Sequence, residues 1–139
     1  MTRVVAVGAG WVTEHRHLPG IAATAGLELA GIVDRDVARG SAAATANGVP
    51  HAASLDDPVL GVFEAVTIGT APPSHGALVT QALELGKHVL VEKPFAMDPD
   101  EARGLVALAR DRGRILAVVH NFQFARSVAT ARRHVAAGT

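Results

Sequence analysis

Three groups of residues in this chain have types and spacings that could do chemistry. The first is Gly8-Ala9-Gly10-Trp11-Val12-Thr13, which directly follows an apolar run. Gly8 would make a tight turn, and Gly10 would let the backbone approach a pyrophosphate at the start of a following helix. The pattern is G-x-G-x-x-T, with Thr13 in place of the third small residue of the usual dinucleotide fingerprint. That position governs helix–strand packing, so Thr13 weakens a contact without removing the phosphate site. The second group, Val33-Asp34-Arg35-Asp36, lies about twenty residues further on, where a carboxylate holds the adenosine ribose hydroxyls of a dinucleotide. Asp34 therefore favours NAD, while Arg35 could stack on adenine or meet a 2′-phosphate, which leaves NADP open. The plainer alternative is that Asp34 caps the next helix. The third group is Glu92-Lys93-Pro94. An amine there, beside a nicotinamide, could hydrogen-bond a substrate hydroxyl and help its proton leave during hydride transfer. Taken alone, a solvated Lys at a strand exit is the simpler reading.

The elements that would position these groups are short apolar runs separated by helical patterns. The runs are Arg3–Val7, Leu27–Val33, Ala65–Ile68, His88–Val91 and Ile115–Val119, rich in Val, Ile and Leu and without clean alternation. Strands buried on both faces read this way, and such strands form parallel sheets. Between them, Asp36–Asn47 is alanine-rich and stops at Gly48. Pro73–Leu85 carries Leu78, Val79, Ala82 and Leu83 on one face. Asp98–Arg112 opens with Asp98-Pro99-Asp100-Glu101, a capping-box pattern with Pro in the first helical position. Arg126–Thr139 also reads as helix. Repeated alternation of strand and helix predicts a doubly wound α/β domain with a parallel sheet, the Rossmann arrangement.

Composition narrows the classes. The 139 residues carry 13 Lys+Arg against 13 Asp+Glu, so no basic excess exists to neutralise nucleic-acid phosphates. The absence of cysteine excludes disulfides, thiolate metal sites and cysteine nucleophiles. No stretch approaches the roughly 18 apolar residues of a membrane span, and the Val4–Gly8 run is too short for a signal-peptide core. A cytoplasmic protein is the expectation. Glu14, His15 and His17 could be imagined as metal ligands, but no third ligand group joins them, so they read as a solvated helical face and no metal is expected. A glycine-rich first turn also serves methyltransferases that bind S-adenosylmethionine.

Two longer motifs separate these readings. Thr70-Ala71-Pro72-Pro73-Ser74-His75 follows the third long apolar run, and Gly86-Lys87-His88-Val89-Leu90-Val91-Glu92-Lys93-Pro94 spans the fourth. T-x-P-P-S-H followed by G-K-H-V-L-x-E-K-P resembles the Gfo/Idh/MocA oxidoreductases, which include glucose–fructose oxidoreductase and inositol dehydrogenase. Methyltransferases do not carry this block. The resemblance runs from Val4 to about Gly138. It implies that Gly8, Gly10, Trp11 and Val12 line the pyrophosphate, and that Asp34 and Arg35 hold the adenosine half. Thr70, Pro72 and His75 would lie along the nicotinamide side. Glu92 and Lys93 match the family's E-K-P, whose Lys reaches both nicotinamide ribose and substrate, and Asn121 matches an Asn that follows the sixth strand. Gln123 stands where the family frequently has Arg.

The resemblance also implies an NAD(P)-dependent oxidoreductase acting on a sugar, cyclitol or sugar-derived hydroxyl or keto group. Residues 1–121 would be the NAD(P)-binding domain, and 122–139 a truncated connector toward a second, mostly antiparallel domain carrying an acid/base His. Lacking that domain, this chain alone is expected to show little or no activity, a separate chain being one possible source of the missing half. The alternatives are a stand-alone NAD(P)-binding or sensing module, or an interaction domain that kept only the fold.

Overall fold

The computed structural model describes residues 1–138. Its strands are β1 (Thr2–Val7), β2 (Leu27–Val33), β3 (His51–Ala52), β4 (Ala65–Ile68), β5 (His88–Val91) and β6 (Leu116–Val118). They form one sheet in the order β3-β2-β1-β4-β5-β6, and every neighbouring pair is parallel. The strand order reverses between β1 and β4, so the connections leave a crevice at the carboxyl ends of those two strands. The doubly wound Rossmann arrangement expected from the alternating pattern is the one observed.

The helices follow local chemistry. A π-type turn, Thr13–His17, leads into α1 (Leu18–Ala23), with Leu18 N–H donating to the Thr13 carbonyl five residues back. Asp36 caps α2 (Val37–Asn47), its carboxylate accepting the Arg39 amide at 3.0 Å. The tandem prolines cannot donate backbone hydrogen bonds, and Pro72–Ser74 forms a 3₁₀ turn that delays α3 to His75–Glu84. Asp98 caps α4 (Pro99–Asp111) by accepting the Asp100 and Glu101 amides, both at 2.9 Å, while the Glu101 carboxylate reaches back to the Met97 amide at 2.8 Å. The last helix, α5, covers Arg126–Ala137 and buries none of its residues; Thr139 of the expected segment lies outside the described residues.

Alternation along the strands divides the core. Val5, Val7, Val66, Ile68, Val89 and Val91 face α3 and α4, where Val79, Ala82 and Leu83 are fully buried. Ala6 and Ile32 face the opposite way, toward Leu18 of α1 and Ala43 and Ala44 of α2, whose small side chains let that helix lie close to the sheet. This second face continues beyond β1 over Thr67, which is buried, and then over Leu90 and Ala117, where it is open. Leu90 is 41% and Ile115 67% exposed, and a groove of about 930 Å³ runs along it. Among the described residues, no helix is long and apolar enough to cross a membrane.

Thr13 does not loosen the helix–strand packing, because the strand side makes the space. Thr13 is fully buried against Gly69 at the end of β4, where a Cβ would come within 2.4 Å of Thr13 Oγ1. The small residue that the fingerprint puts on the helix is here at the strand exit. Gly69→Ala is expected to lower stability by about 1–3 kcal/mol through overpacking. Adding Thr13→Ala should recover part of that loss, since it removes the clashing hydroxyl, which has no hydrogen-bond partner among the described residues. Urea unfolding of the two single variants and the double variant measures the coupling.

Candidate functional site

Parallel pairing delivers all the strand exits to one edge of the sheet, and most of the expected site residues lie along it. The β1 exit turns at Gly8, whose φ of +87° suits glycine and whose missing side chain admits Thr70: a Cβ would stand 2.6 Å from Thr70 Cγ2. The Gly8 amide donates to the Val33 carbonyl at 2.7 Å, holding the turn against the β2 exit. At Gly10 the situation is reversed, since a Cβ would meet no protein atom within 4 Å. Nothing inside the protein requires a glycine there. A ligand passing close to the backbone would. Trp11, 62% exposed, stacks on His15 with ring centroids 4.7 Å apart, and the Arg16 guanidinium lies 5.6 Å from the Trp11 centroid. Val12 is half-buried beside them.

Asp34 is the electrostatic centre of the β2 exit. One carboxylate oxygen accepts the Ala9 amide at 2.8 Å and Arg39 Nε at 2.9 Å; the other accepts the Asp36 amide and an Arg39 terminal nitrogen, both at 2.9 Å. The cap of α2 is Asp36, so Asp34 is not used for that purpose. Burial pushes the Asp34 carboxyl up, but the hydrogen bonds from Arg39, Asp36 and Ala9 outweigh it and hold the group below its ordinary range. Arg35 is exposed at the rim of this corner. Arg39 was not singled out by sequence reasoning; its place three residues after the capping Asp36 was the available signal.

The E-K-P segment leaves the end of β5, beside the π-type turn Thr13–His17. Glu92 is buried, accepting His17 Nε2 at 3.1 Å on one oxygen and the Lys93 amide at 3.2 Å on the other. His17 Nδ1 meets the Thr67 hydroxyl. His17 therefore does not belong to a solvated face, as its neighbours Glu14 and His15 do. The π-type turn inserts an extra residue and swings its imidazole inward, leaving the side chain only 7% exposed. The Lys93 side chain is exposed on the rim of the groove, and its ammonium has no hydrogen-bond or ion-pair partner among the described residues. Asn121, at the start of the 3₁₀ turn Asn121–Phe124, lines the same groove. Thr70 and Pro72 lie half-buried at the β4 exit, and His75 beneath them is fully buried. His75 Nδ1 is 2.7 Å from the Pro94 carbonyl and Nε2 is 3.1 Å from the Thr70 carbonyl. No group of three or more His, Asp or Glu side chains among the described residues is placed to hold a metal ion.

A glycine turn, a buried acid at the second strand exit and an amine at the fifth share one edge. The model of the Gfo/Idh/MocA family, described as an oxidoreductase family with an NAD-binding Rossmann fold, matches residues 2–120. The chain belongs to this family. Among Gfo/Idh/MocA relatives, it is 31% identical to 1,5-anhydro-D-fructose reductase of Ensifer adhaerens, over 99% of this chain and 42% of that protein. It is 32% identical to D-glucoside 3-dehydrogenase of Escherichia coli, over 98% and 39%. The structure of GenD2 from gentamicin A biosynthesis, in complex with NAD, superposes with a TM-score of 0.89 at 31% identity, covering 97% of this chain and 39% of that one. A 3-ketoreductase from Actinomadura kijaniata in complex with NADP gives 0.88 at 26% identity, covering 99% and 44%. The chain thus spans about two fifths of the length of these Gfo/Idh/MocA proteins.

The Asp34 corner carries a pH signature. Because its folded-state value is depressed, Asp34 stabilises the fold above the ordinary carboxyl value of 3.8, and that contribution disappears as pH falls through the depressed one. Asp34→Asn should cost about 1–3 kcal/mol near neutrality, toward the low end because Arg39 is half-exposed and screened. The gap between the two proteins should narrow only below about pH 4. Urea unfolding at a series of pH values reads both effects.

Proposed function

We propose that this chain holds NAD or NADP along the carboxyl edge of its sheet, and that the whole protein oxidises or reduces a sugar, cyclitol or sugar-derived hydroxyl or keto group. The observation that carries the reading is the unpartnered Lys93 ammonium on the same edge as the open backbone at Gly10. Gly8, Gly10, Trp11 and Val12 would border the pyrophosphate, where helix amides and the helix dipole favour an anion. The nicotinamide side would run past Thr70, Pro72, Glu92, Lys93 and Asn121, with His75 packed beneath.

When bound, the nicotinamide supplies the hydride acceptor or donor. Lys93 would donate or accept a hydrogen bond at the substrate oxygen, holding the proton that moves as the carbon is oxidised or reduced. Further substrate contacts would come from the portion of the relatives that this chain does not span.

The Asp34 corner bears on cofactor choice. Asp34 favours NAD where its carboxylate meets ribose hydroxyls, yet here four donors already occupy it, two of them from Arg39. Arg39 and the neighbouring Arg35 bring two guanidinium-bearing side chains to the β2 exit, which supports a reading in which either cofactor is accepted and Arg39 sets the balance. Trp11 is the only tryptophan, so its emission reports binding directly. Titration with NADH and NADPH should quench it saturably with both. Arg39→Ala should lose about tenfold in NADPH affinity, near 1.4 kcal/mol, while NADH binding holds or tightens. Gly10→Ala should fold normally and bind either nucleotide at least tenfold more weakly, because its Cβ would occupy ligand space rather than protein space. Absence of quenching by either nucleotide at millimolar concentration would overturn the proposal.

A further inference from the structure

We propose that two buried histidines, His17 and His75, are positioning residues that hold Lys93 from its two chain neighbours. Lys93 stands at a strand exit on a long flexible stem, so its reach depends on how firmly its backbone is placed. The preceding residue is held by one imidazole. His17 Nε2 donates to Glu92 at 3.1 Å, and the other oxygen of the same carboxylate accepts the Lys93 amide at 3.2 Å. One proton arrangement satisfies the whole relay: the Thr67 hydroxyl donates to His17 Nδ1, and His17 Nε2–H donates to Glu92. The Glu92 amide, in turn, is tied to the Ile68 carbonyl at 2.9 Å.

The following residue is held by the other imidazole. His75 has no solvent exposure, and both of its ring nitrogens face backbone carbonyls, Pro94 at 2.7 Å and Thr70 at 3.1 Å. Carbonyls only accept, so the imidazole N–H donates to one of them, and the ring stands wedged between the two. Beside it, the Glu101 carboxylate of α4 lies against Gly76. The only acidic residue of α3 itself is Glu84 at its far end, while β4 and the Pro72–Ser74 turn contain no titratable side chain. The bridge fastens the β4 exit to the β5 exit, with Lys93 immediately before the bridged Pro94.

The two imidazoles come from different parts of the chain and act on opposite sides of one residue. Neither lines the expected path of the nucleotide's adenosine half. Removing either should therefore loosen the nicotinamide end and spare the rest.

This inference rests on the nucleotide-binding reading above, and the test separates the two. NADH and ADP-ribose, which lacks the nicotinamide, are titrated against the wild-type chain and the variants His17→Ala, His17→Gln and His75→Ala. His17→Ala and His75→Ala should weaken NADH about tenfold and leave ADP-ribose within about twofold. His17→Gln should restore most NADH affinity, since its amide can donate to Glu92 and accept from Thr67. Equal losses for both ligands, or no loss for either, would overturn the positioning role. If the wild-type chain binds neither ligand, the nucleotide reading fails and the inference is read from hydrogen exchange alone. Exchange at the Lys93 amide should then quicken in His17→Ala while β1 amides keep their protection, and an unchanged Lys93 amide would sink it.

Discussion

The carboxylate of Asp34 is the interaction on which the nucleotide edge depends. A buried carboxylate is tolerated only when its lone pairs are satisfied, and here an amide from the glycine turn, an amide from the β2 exit and two nitrogens of one guanidinium do so together. The bond to Ala9 fixes the middle of the Gly8–Gly10 turn by a residue of another strand, and the Arg39 fork ties α2 to the same point. A turn built of Gly8, Ala9 and Gly10 has little side-chain mass of its own to hold it in shape. The neighbouring strand supplies that rigidity through charge.

Parallel topology does the remaining assembly. Because every strand points the same way, the exits of β1, β2, β4 and β5 meet without long connections, and residues as far apart as Gly10, Asp34, Thr70 and Lys93 share one edge. The two lysines show how selectively that edge is served. Lys87, at the opposite end of β5, donates to the Phe63 carbonyl at 2.8 Å and lies 4.3 Å from the Phe63 ring centroid. It is a structural group. Lys93 has no such internal engagement among the described residues, which leaves its ammonium available to a ligand.

Much of this was legible in the amino-acid sequence for physical reasons. The run Leu27–Val33 ends in residues buried on both faces, the pattern of a strand inside a covered parallel sheet, and His88–Val91 reads alike although Leu90 faces the open groove. Asp98-Pro99-Asp100-Glu101 announces its helix because the capping geometry is local. What escaped was non-local or too short. β3 pairs through only His51 and Ala52, which leaves no run to detect. His17 lies among polar neighbours, Glu14, His15 and Arg16, and its inward turn comes from a π-type widening that sequence periodicity at 3.6 residues does not register. Arg39 sits in an alanine-rich helix and acquires its role only when α2 folds back on Asp34. Thr13 was read as a packing defect because its compensation, Gly69, lies just past a strand more than fifty residues away.

The brevity of the outer strands has a consequence for self-association. A parallel sheet with long, flat margins offers rows of unpaired amides and carbonyls to any other extended chain. Here the margins are β3, two residues long, and β6, three residues long, so lateral addition finds almost no template. The molecule is blunted against sheet extension by length alone, without charged or proline guards on those strands. The open face around Leu90 and Ile115, by contrast, presents side chains rather than backbone.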